Sequence, residues 1–577
     1  MPDDLTGADI AEDPIAMEVF ANRLLSISEE MGNALIRSSF STNIKERRDC
    51  SVGLLDAAGR CVTQAAHMPM HLGSLLGSVI AVLDRHPAET MQEGDAFICN
   101  DVFLAHGTHQ PDITIVTPIF HGGRVRFFAA NVGHHSDVGG PHPGSMSQSA
   151  RTIFEEGIRI PVMRFARGGR IDEDLLNMIA HNTREPDERA LDLRVQVAVN
   201  QRGAELMHRL VAAEGIEAVE RSVDDLLRYT RRRLRSRIAA LPDGTYHGER
   251  WMDGDGIPGG AMLPLRASVT IRGSDMALDF AGTGPQARGA LNLSRSGLEA
   301  TCAYAVKAML DPDIPPNTGL FGGFGITAPE GTIVNPRFPA ATCTRAITAN
   351  RVAGAIIAAL NQAVTPDRRM AASNDSVPAM VISGRRATGT YVYIETIGGG
   401  IGAALGQDGM EASHVHLTNS SNLPAEALEI EYPVLLDEYA LIEDSGGAGQ
   451  WRGGLGIARQ IRSRSDETVF TARSDGHIAV APGLDGGLDG GGANLTFFPA
   501  DGPPHSLGGS ATAIAMVAGA AARVETPGGA GFGDPARRDP MALGQDLADG
   551  KTSRRNAVRD YGERAVTKAE SIFATKG

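Results

Sequence analysis

Nine of the sixteen histidines fall within residues 67–142: His67, His71, His86, His106, His109, His121, His134, His135 and His142. Histidine is the side chain best suited to metal ligation and to proton transfer near neutral pH, so this crowding marks a candidate site. Two short constellations stand inside it, His106-Gly-Thr-His109-Gln-Pro-Asp112 and His134-His135-Ser-Asp137. One His-x-x-Asp string by itself usually makes a hydrogen-bonded turn. Two such strings brought together would surround a divalent cation with nitrogen and oxygen donors. That mixed set suits Mn²⁺, Zn²⁺ or Fe²⁺ better than Ca²⁺ or Mg²⁺. Gly107 and Pro111 disfavour a helix here, so the donors would come from strands and turns.

The intervening segment supplies the means of bringing them together. Asp112–Phe120 is rich in β-branched residues, Val125–Val132 is a second apolar run, and Gly122-Gly123 lies between them. A two-residue Gly-Gly turn between such runs predicts a hairpin. Carried straight through from that turn, the register sets His121 against Arg124, Asp112 against Gly133 and Pro111 against His134. Both constellations then lie at one open end, with facing residues about 5 Å apart.

Other elements surround this hairpin. Asp13 and Pro14 open a helix over 13–38, with an apolar stripe at Val19, Phe20, Leu24, Ile27, Met31, Leu35 and Ile36. Residues 51–65 read as strand, turn at Ala58-Gly59, strand, and Leu72–Leu83 as a helix. Residues 187–240 are long and helical, ending in an arginine cluster, Arg228 to Arg237, expected on a solvated face. Pro242-Asp243-Gly244 marks a boundary. Beyond it the chain is Gly-rich and strand-like, with helices near 296–310 and 349–362. The expectation is a mixed, multi-domain α+β fold. It comprises an N-terminal metal-bearing α+β domain (1–240), a Gly-rich, β-rich domain with inserted helices (241–535) and a charged C-terminal tail (536–577).

Composition narrows the function. Lys+Arg 54 against Asp+Glu 69 gives a net charge of -15, which argues against nucleic-acid binding, since that needs a basic face. No apolar run is long enough for a membrane span. The acidic start, Met1-Pro2-Asp3-Asp4, is unlike a signal peptide. Five cysteines without a Cys-x-x-Cys pair argue against a disulfide framework, so a cytoplasmic protein is expected. No phosphate-loop string G-x-x-x-x-G-K-[ST] occurs, nor a G-x-S-x-G elbow. Gly254-Asp-Gly256-Ile-Pro-Gly259 matches a dinucleotide string but precedes a strand-like run, not a helix.

Several motifs together resemble a known family. They are Glu46-Arg-Arg-Asp49, Ala66-His67-Met-Pro-Met-His71-Leu-Gly-Ser74, Asn100-Asp101, Gly107-Thr-His109-Gln-Pro-Asp112 and Gly133-His134-His135-Ser-Asp137-Val-Gly-Gly140. Others follow at Asn182-Thr-Arg184, Gly282-Thr-Gly-Pro-Gln286, Glu395-Thr-Ile-Gly-Gly-Gly400, Arg452-Gly-Gly-Leu-Gly456 and Thr526-Pro-Gly-Gly529. In this order, from about 14 to 540, they resemble the hydantoinase B family. That family includes N-methylhydantoinase B subunits, the C-terminal half of ATP-dependent 5-oxoprolinase and the α subunits of acetone carboxylases.

The resemblance implies a hetero-oligomer in which ATP is held by a hydantoinase A-type partner, which phosphorylates the carbonyl oxygen of a small cyclic amide. The B-type chain would then open the activated ring with water at a divalent metal site. His109, Asp112 and His134 match the metal ligands of the carboxylase branch, with Asp137 a candidate fourth. Asp101 and His135 match motif positions and are expected to move protons. Two alternatives remain open: an α-type subunit of an ATP-dependent ketone carboxylase, and a non-catalytic scaffold subunit. Hydantoin, N-methylhydantoin, 5-oxoproline and larger lactams all fit this chemistry.

Overall fold

The structure is a computed structural model that describes residues 13–65, 68–387 and 389–576. Ala66 and His67 lie outside the described residues. The first helix spans Pro14–Ser38, and its Asp13 cap accepts from the backbone N–H of Ile15 and Ala16. It buries Phe20, Leu24, Met31 and Leu35, whereas Val19, expected in the same stripe, is exposed.

Seven strands follow: β1 (Cys50–Asp56), β2 (Cys61–Gln64), β3 (Ala96–Cys99), β4 (Asp112–His121), β5 (Arg124–His134), β6 (Met163–Arg167) and β7 (Arg170–Ile171). They form one antiparallel sheet in the order β2-β1-β5-β4-β3-β6-β7. β4 and β5 are buried along nearly their whole length because helices cover both faces. Phe128, Ala130 and Val132 share a core with Leu72, Leu75 and Val79 of the His71–Arg85 helix. Phe127 and Ala129 point the other way, against the Pro14–Ser38 and Pro186–Glu214 helices.

The β4–β5 hairpin turns at Gly122-Gly123, both at positive φ, as expected. Its register differs from the straight reading. His121 pairs with Arg124 and Phe120 with Val125, but a bulge then leaves Arg126 without a partner, and Ile119 pairs with Phe127. Everything beyond is displaced by one residue, so Asp112 faces His134 and Ile113 faces Gly133. A one-residue displacement exchanges the faces of a strand. The bulge therefore decides which side chains meet at the open end.

The long helical segment is two helices, Pro186–Glu214 and Ile216–Ala239, broken at Gly215. The second ends in the arginine cluster, which is largely ion-paired. Arg233 and Arg237 hold Asp311, and Arg235 holds Asp275. A four-stranded sheet over 244–327 and the helices Arg295–Leu310 and Arg345–Leu360 share the largest core with the first sheet. Two further sheets of four and five strands complete an α+β fold.

Glycine lets the loops of these last sheets press together. A Cβ on Gly400 would lie 1.9 Å from the Gly454 carbonyl oxygen and 2.2 Å from the Gly529 nitrogen. Residues 540–576 carry three helices around Leu543, Ala557 and Val566, tied back where Arg452 and Arg538 share Asp546. Among the described residues no helix is long and apolar enough to cross a membrane.

Candidate metal centre

β4 begins at Asp112 and β5 ends at His134, so the hairpin's open end sets these two side by side. His109 sits one turn before Asp112, whose N–H donates to the His109 carbonyl at 3.3 Å. The backbone N–H of His135 donates to the Pro111 carbonyl at 2.9 Å and closes the loop onto the strand. His109 Nε2 lies 2.9 Å from Asp112 Oδ1, and His134 Nδ1 lies 3.1 Å from the same oxygen and from His109 Nε2. All three residues are buried, and among the described residues they form the one group of potential ligands this compact.

These distances suit a cation. Donors bound at about 2.1 Å on one face of an octahedron stand about 3.0 Å apart. His109 Nδ1 lies 3.1 Å from the Cys343 carbonyl, which accepts, and 3.0 Å from Arg345 Nη1, which donates, while Nε2 is directed at Asp112 Oδ1 and His134 Nδ1. Burial, reinforced by Arg345, pushes the His109 pKa down to about 3, so the ring is neutral and able to ligate. Burial alone would raise the Asp112 carboxyl. His109, the Arg345 guanidinium and His71 outweigh it and hold the group well below the usual carboxylate range. His134 Nε2 is buried with no hydrogen-bond partner, and His134 lines the adjoining cavity. Two imidazole nitrogens and a carboxylate oxygen, each within 3.1 Å of the others, are a donor set that fits a divalent cation.

The other expected residues take different places. Asp137 accepts from the backbone N–H of Gly139, Gly144 and Arg184 and from the Arg184 guanidinium, so its carboxylate is saturated away from the triad. Asp101 caps its own turn by accepting from Phe103 and Leu104 N–H, and it pairs with Arg159. His135 donates from Nε2 to Gln196 at 3.0 Å and accepts at Nδ1 from Arg189 at 2.7 Å. Burial, then Arg189, holds its pKa well below the ordinary value. With both nitrogens engaged, His135 is a fixed neutral ring, and neither it nor Asp101 is brought to the triad. His106 is exposed at positive φ.

Sequence reasoning passed over several residues at the centre. Arg345 Nη2 donates to Asp112 Oδ2 at 2.7 Å, and Thr108 Oγ1 donates to the same oxygen at 2.7 Å. His71 Nε2 stands 3.6 Å from Asp112 Oδ1 and 3.9 Å from Asp49 Oδ1. Asp49 and His71 belong to the family motifs, and that was the available signal. Arg345 had none, because its helix starts at 345 rather than near 349. Thr344, just before it, spends its hydroxyl on the Ala290 carbonyl instead of capping. Arg47 and Arg473 complete the wall facing His134.

The chain is 35% identical over 570 residues to an uncharacterized protein of Methanocaldococcus jannaschii, covering 97% of this chain and 98% of the other. It is 32% identical to 5-oxoprolinase 1 of Arabidopsis thaliana over 91% of this chain but only 42% of that one, so it spans less than half of the 5-oxoprolinase. A Pseudomonas sp. (strain NS671) chain, provisionally named as the B component of a D-/L-hydantoinase, is 29% identical over 97% of this chain and 96% of its own length. The ATP-dependent caprolactamase from Pseudomonas jessenii superposes with a TM-score of 0.88 at 25% identity, over 97% of this chain and 99% of that one. A nucleotide-free acetone carboxylase chain superposes equally well, TM-score 0.88, over 98% of this chain and 83% of that one; at 20% identity it shares the fold. Residues 13–535 match the family described as hydantoinase B/oxoprolinase, and the chain belongs to it.

Proposed function

We propose that this chain is the ring-opening B component of an ATP-dependent cyclic-amide hydrolase, acting on a carbonyl that an A-type partner has phosphorylated. The buried His109–Asp112–His134 triad carries the reading. The lack of a phosphate-loop string supports a nucleotide site elsewhere in the assembly. So does the 5-oxoprolinase length that this chain does not span.

An amide carbonyl resists water at neutral pH. Phosphorylation of its oxygen makes the carbon electrophilic; one water then adds at that carbon as the C–N bond breaks, giving the amine and an acyl phosphate, and a second water releases phosphate and leaves the carboxylate. The triad would hold a divalent ion, Mn²⁺, Zn²⁺ or Fe²⁺, which supplies Lewis acidity and makes water a better nucleophile at neutral pH. The chain's own residues prepare that place. Arg345 and Thr108 keep the Asp112 carboxylate anionic and fixed, and the Cys343 carbonyl and Arg345 hold the His109 ring in place from its Nδ1 side. His134 lines the adjoining cavity and keeps a buried Nε2 without a hydrogen-bond partner, which a substrate oxygen could engage.

The test is purification with an A-type partner, followed by ADP release measured on hydantoin, N-methylhydantoin, 5-oxoproline and lactams, and on ketones with bicarbonate. The expected result is ADP release coupled to ring opening and lost on metal removal. Full activity in the metal-stripped complex overturns the reading, and turnover of ketones alone moves it to the carboxylase alternative. A complex that hydrolyses cyclic amides although this chain carries no metal would make the chain a scaffold.

A further inference from the structure

The cavity beside the triad is unbalanced in charge. Three guanidiniums face it, Arg47, Arg345 and Arg473, and all are buried, with relative exposures of 0%, 5% and 4%. Among the described residues two carboxylates oppose them, Asp49 in the cavity wall and Asp112 behind Arg345. Arg345 is matched by Asp112 at 2.7 Å. Arg47 donates to Thr396 at 2.7 Å and to Asn43, with Asp49 at 4.0 Å. Arg473, the last residue of strand Thr468–Arg473, has no hydrogen-bond partner at Nε or Nη1. One positive charge is therefore left over, and a divalent ion at the triad would raise the excess to three.

A buried guanidinium without a partner is costly, and proteins retain such a group where a ligand supplies the anion. Burial, with Arg345 and Arg47 as like-charged neighbours and only the Cys343 thiol and Asp49 opposing, draws the Arg473 pKa down to about 9. The planar fork of guanidinium donors matches tetrahedral oxyanions, which it binds through paired hydrogen bonds.

We propose that Arg473, with Arg47 at its side, forms an anion subsite next to the His109–Asp112–His134 triad that receives the phosphoryl oxygens of an activated substrate and then the free phosphate. This rests on the ring-opening function proposed above, and it adds the residue that would hold the phosphoryl group. The free volume of the cavity is about 30 Å³. Phosphate therefore enters as the lining side chains Met68, Met70 and Met146 change rotamer, which unbranched thioethers do readily.

Inorganic phosphate is the probe, titrated calorimetrically into the full chain in phosphate-free buffer with and without Mn²⁺, with bicarbonate as the planar control anion. The wild-type chain should bind phosphate in preference to bicarbonate and show a higher Tm when phosphate is present. Arg473→Met should weaken phosphate binding at least about tenfold and abolish that Tm rise, while Arg473→Lys restores part of both. In phosphate-free buffer Arg473→Met should be no less stable than wild type, because it removes an uncompensated charge. Absence of phosphate binding to the wild-type chain overturns the proposal. So does preference for bicarbonate, or an Arg473→Met chain that unfolds earlier yet binds phosphate unchanged. In the assembled complex, phosphate should inhibit in competition with a phosphorylated substrate if both use the subsite. Phosphate binding without ATP-dependent ring opening would sink the function and leave the subsite. Ring opening without phosphate binding would do the reverse.

Discussion

Asp112 holds the centre together at the scale of single residues. It is fully buried and within 3.1 Å of two imidazoles, one guanidinium and one hydroxyl, with a third imidazole, His71, at 3.6 Å. Asp112→Asn keeps the shape but replaces the anionic oxygen that both imidazoles face, so the purified chain should lose stoichiometric divalent metal, measured by elemental analysis. Arg345→Met tests the same carboxylate from the other side. It leaves Asp112 buried without its cationic partner, and removing one partner of a buried pair costs about 3–5 kcal/mol. Because a bound cation would also compensate Asp112, the Tm loss of Arg345→Met should be larger in chelator than in excess Mn²⁺. His135 carries the opposite expectation. Its ring joins Arg189 to Gln196, so His135→Leu should cost about 1–3 kcal/mol, read as a lower Tm, while the metal content stays at the wild-type level.

At the scale of elements, the hairpin and the Pro186–Glu214 helix are joined by a chain of amides. Gln196 Nε2 donates to the Ile113 carbonyl and to Asn131, and Asn200 Nδ2 donates to the Ile115 carbonyl. Asn131 returns hydrogen bonds to the Gln196 carbonyl and Asn200 Oδ1. These contacts fix the helix to β4 and β5 just behind the triad, at a depth where no water replaces a lost partner. Asn200→Leu orphans one donor and one acceptor in the sheet, and a loss of about 2–4 kcal/mol is expected, read as a lower thermal midpoint. The bulge at Arg126 works at the same scale. It is pinned from outside by Glu220 at 2.9 Å, and the register it creates sets Asp112 against His134.

At the scale of the molecule, the centre is assembled from parts distant in the chain. Glu156 holds the 342–343 segment by accepting from the N–H groups of Thr342 and Cys343, and the Cys343 carbonyl in turn orients His109. Burial, opposed by those hydrogen bonds, raises the Glu156 pKa from 4.5 to about 7. A carboxyl whose folded pKa lies above its unfolded value binds its proton more tightly when folded. Its contribution is complete below pH 4.5 and is lost as pH rises through 7, about 3 kcal/mol in all. Glu156→Gln cannot ionise, so its Tm should rise relative to wild type as the pH is taken from 5 to 8, measured by calorimetry across that range.

What the linear chain determined by itself was everything written in neighbouring residues. The Asp13-capped helix, the Gly122-Gly123 turn, the mixed α+β architecture and the meeting of two histidine constellations at one hairpin end all follow from patterns a few residues long. Tertiary structure decided which of those side chains finally converge. A single unpaired Arg126, invisible to strand propensity, moved His134 opposite Asp112. Asp137 was drawn off by Arg184, 47 residues away, and Asp112 was completed by Arg345, 233 residues away. A carboxylate or imidazole carries no local mark of the partner it will find. Burial makes each of them take whichever donor or cation the fold brings within about 3 Å, and that choice is made only when distant segments close on one another.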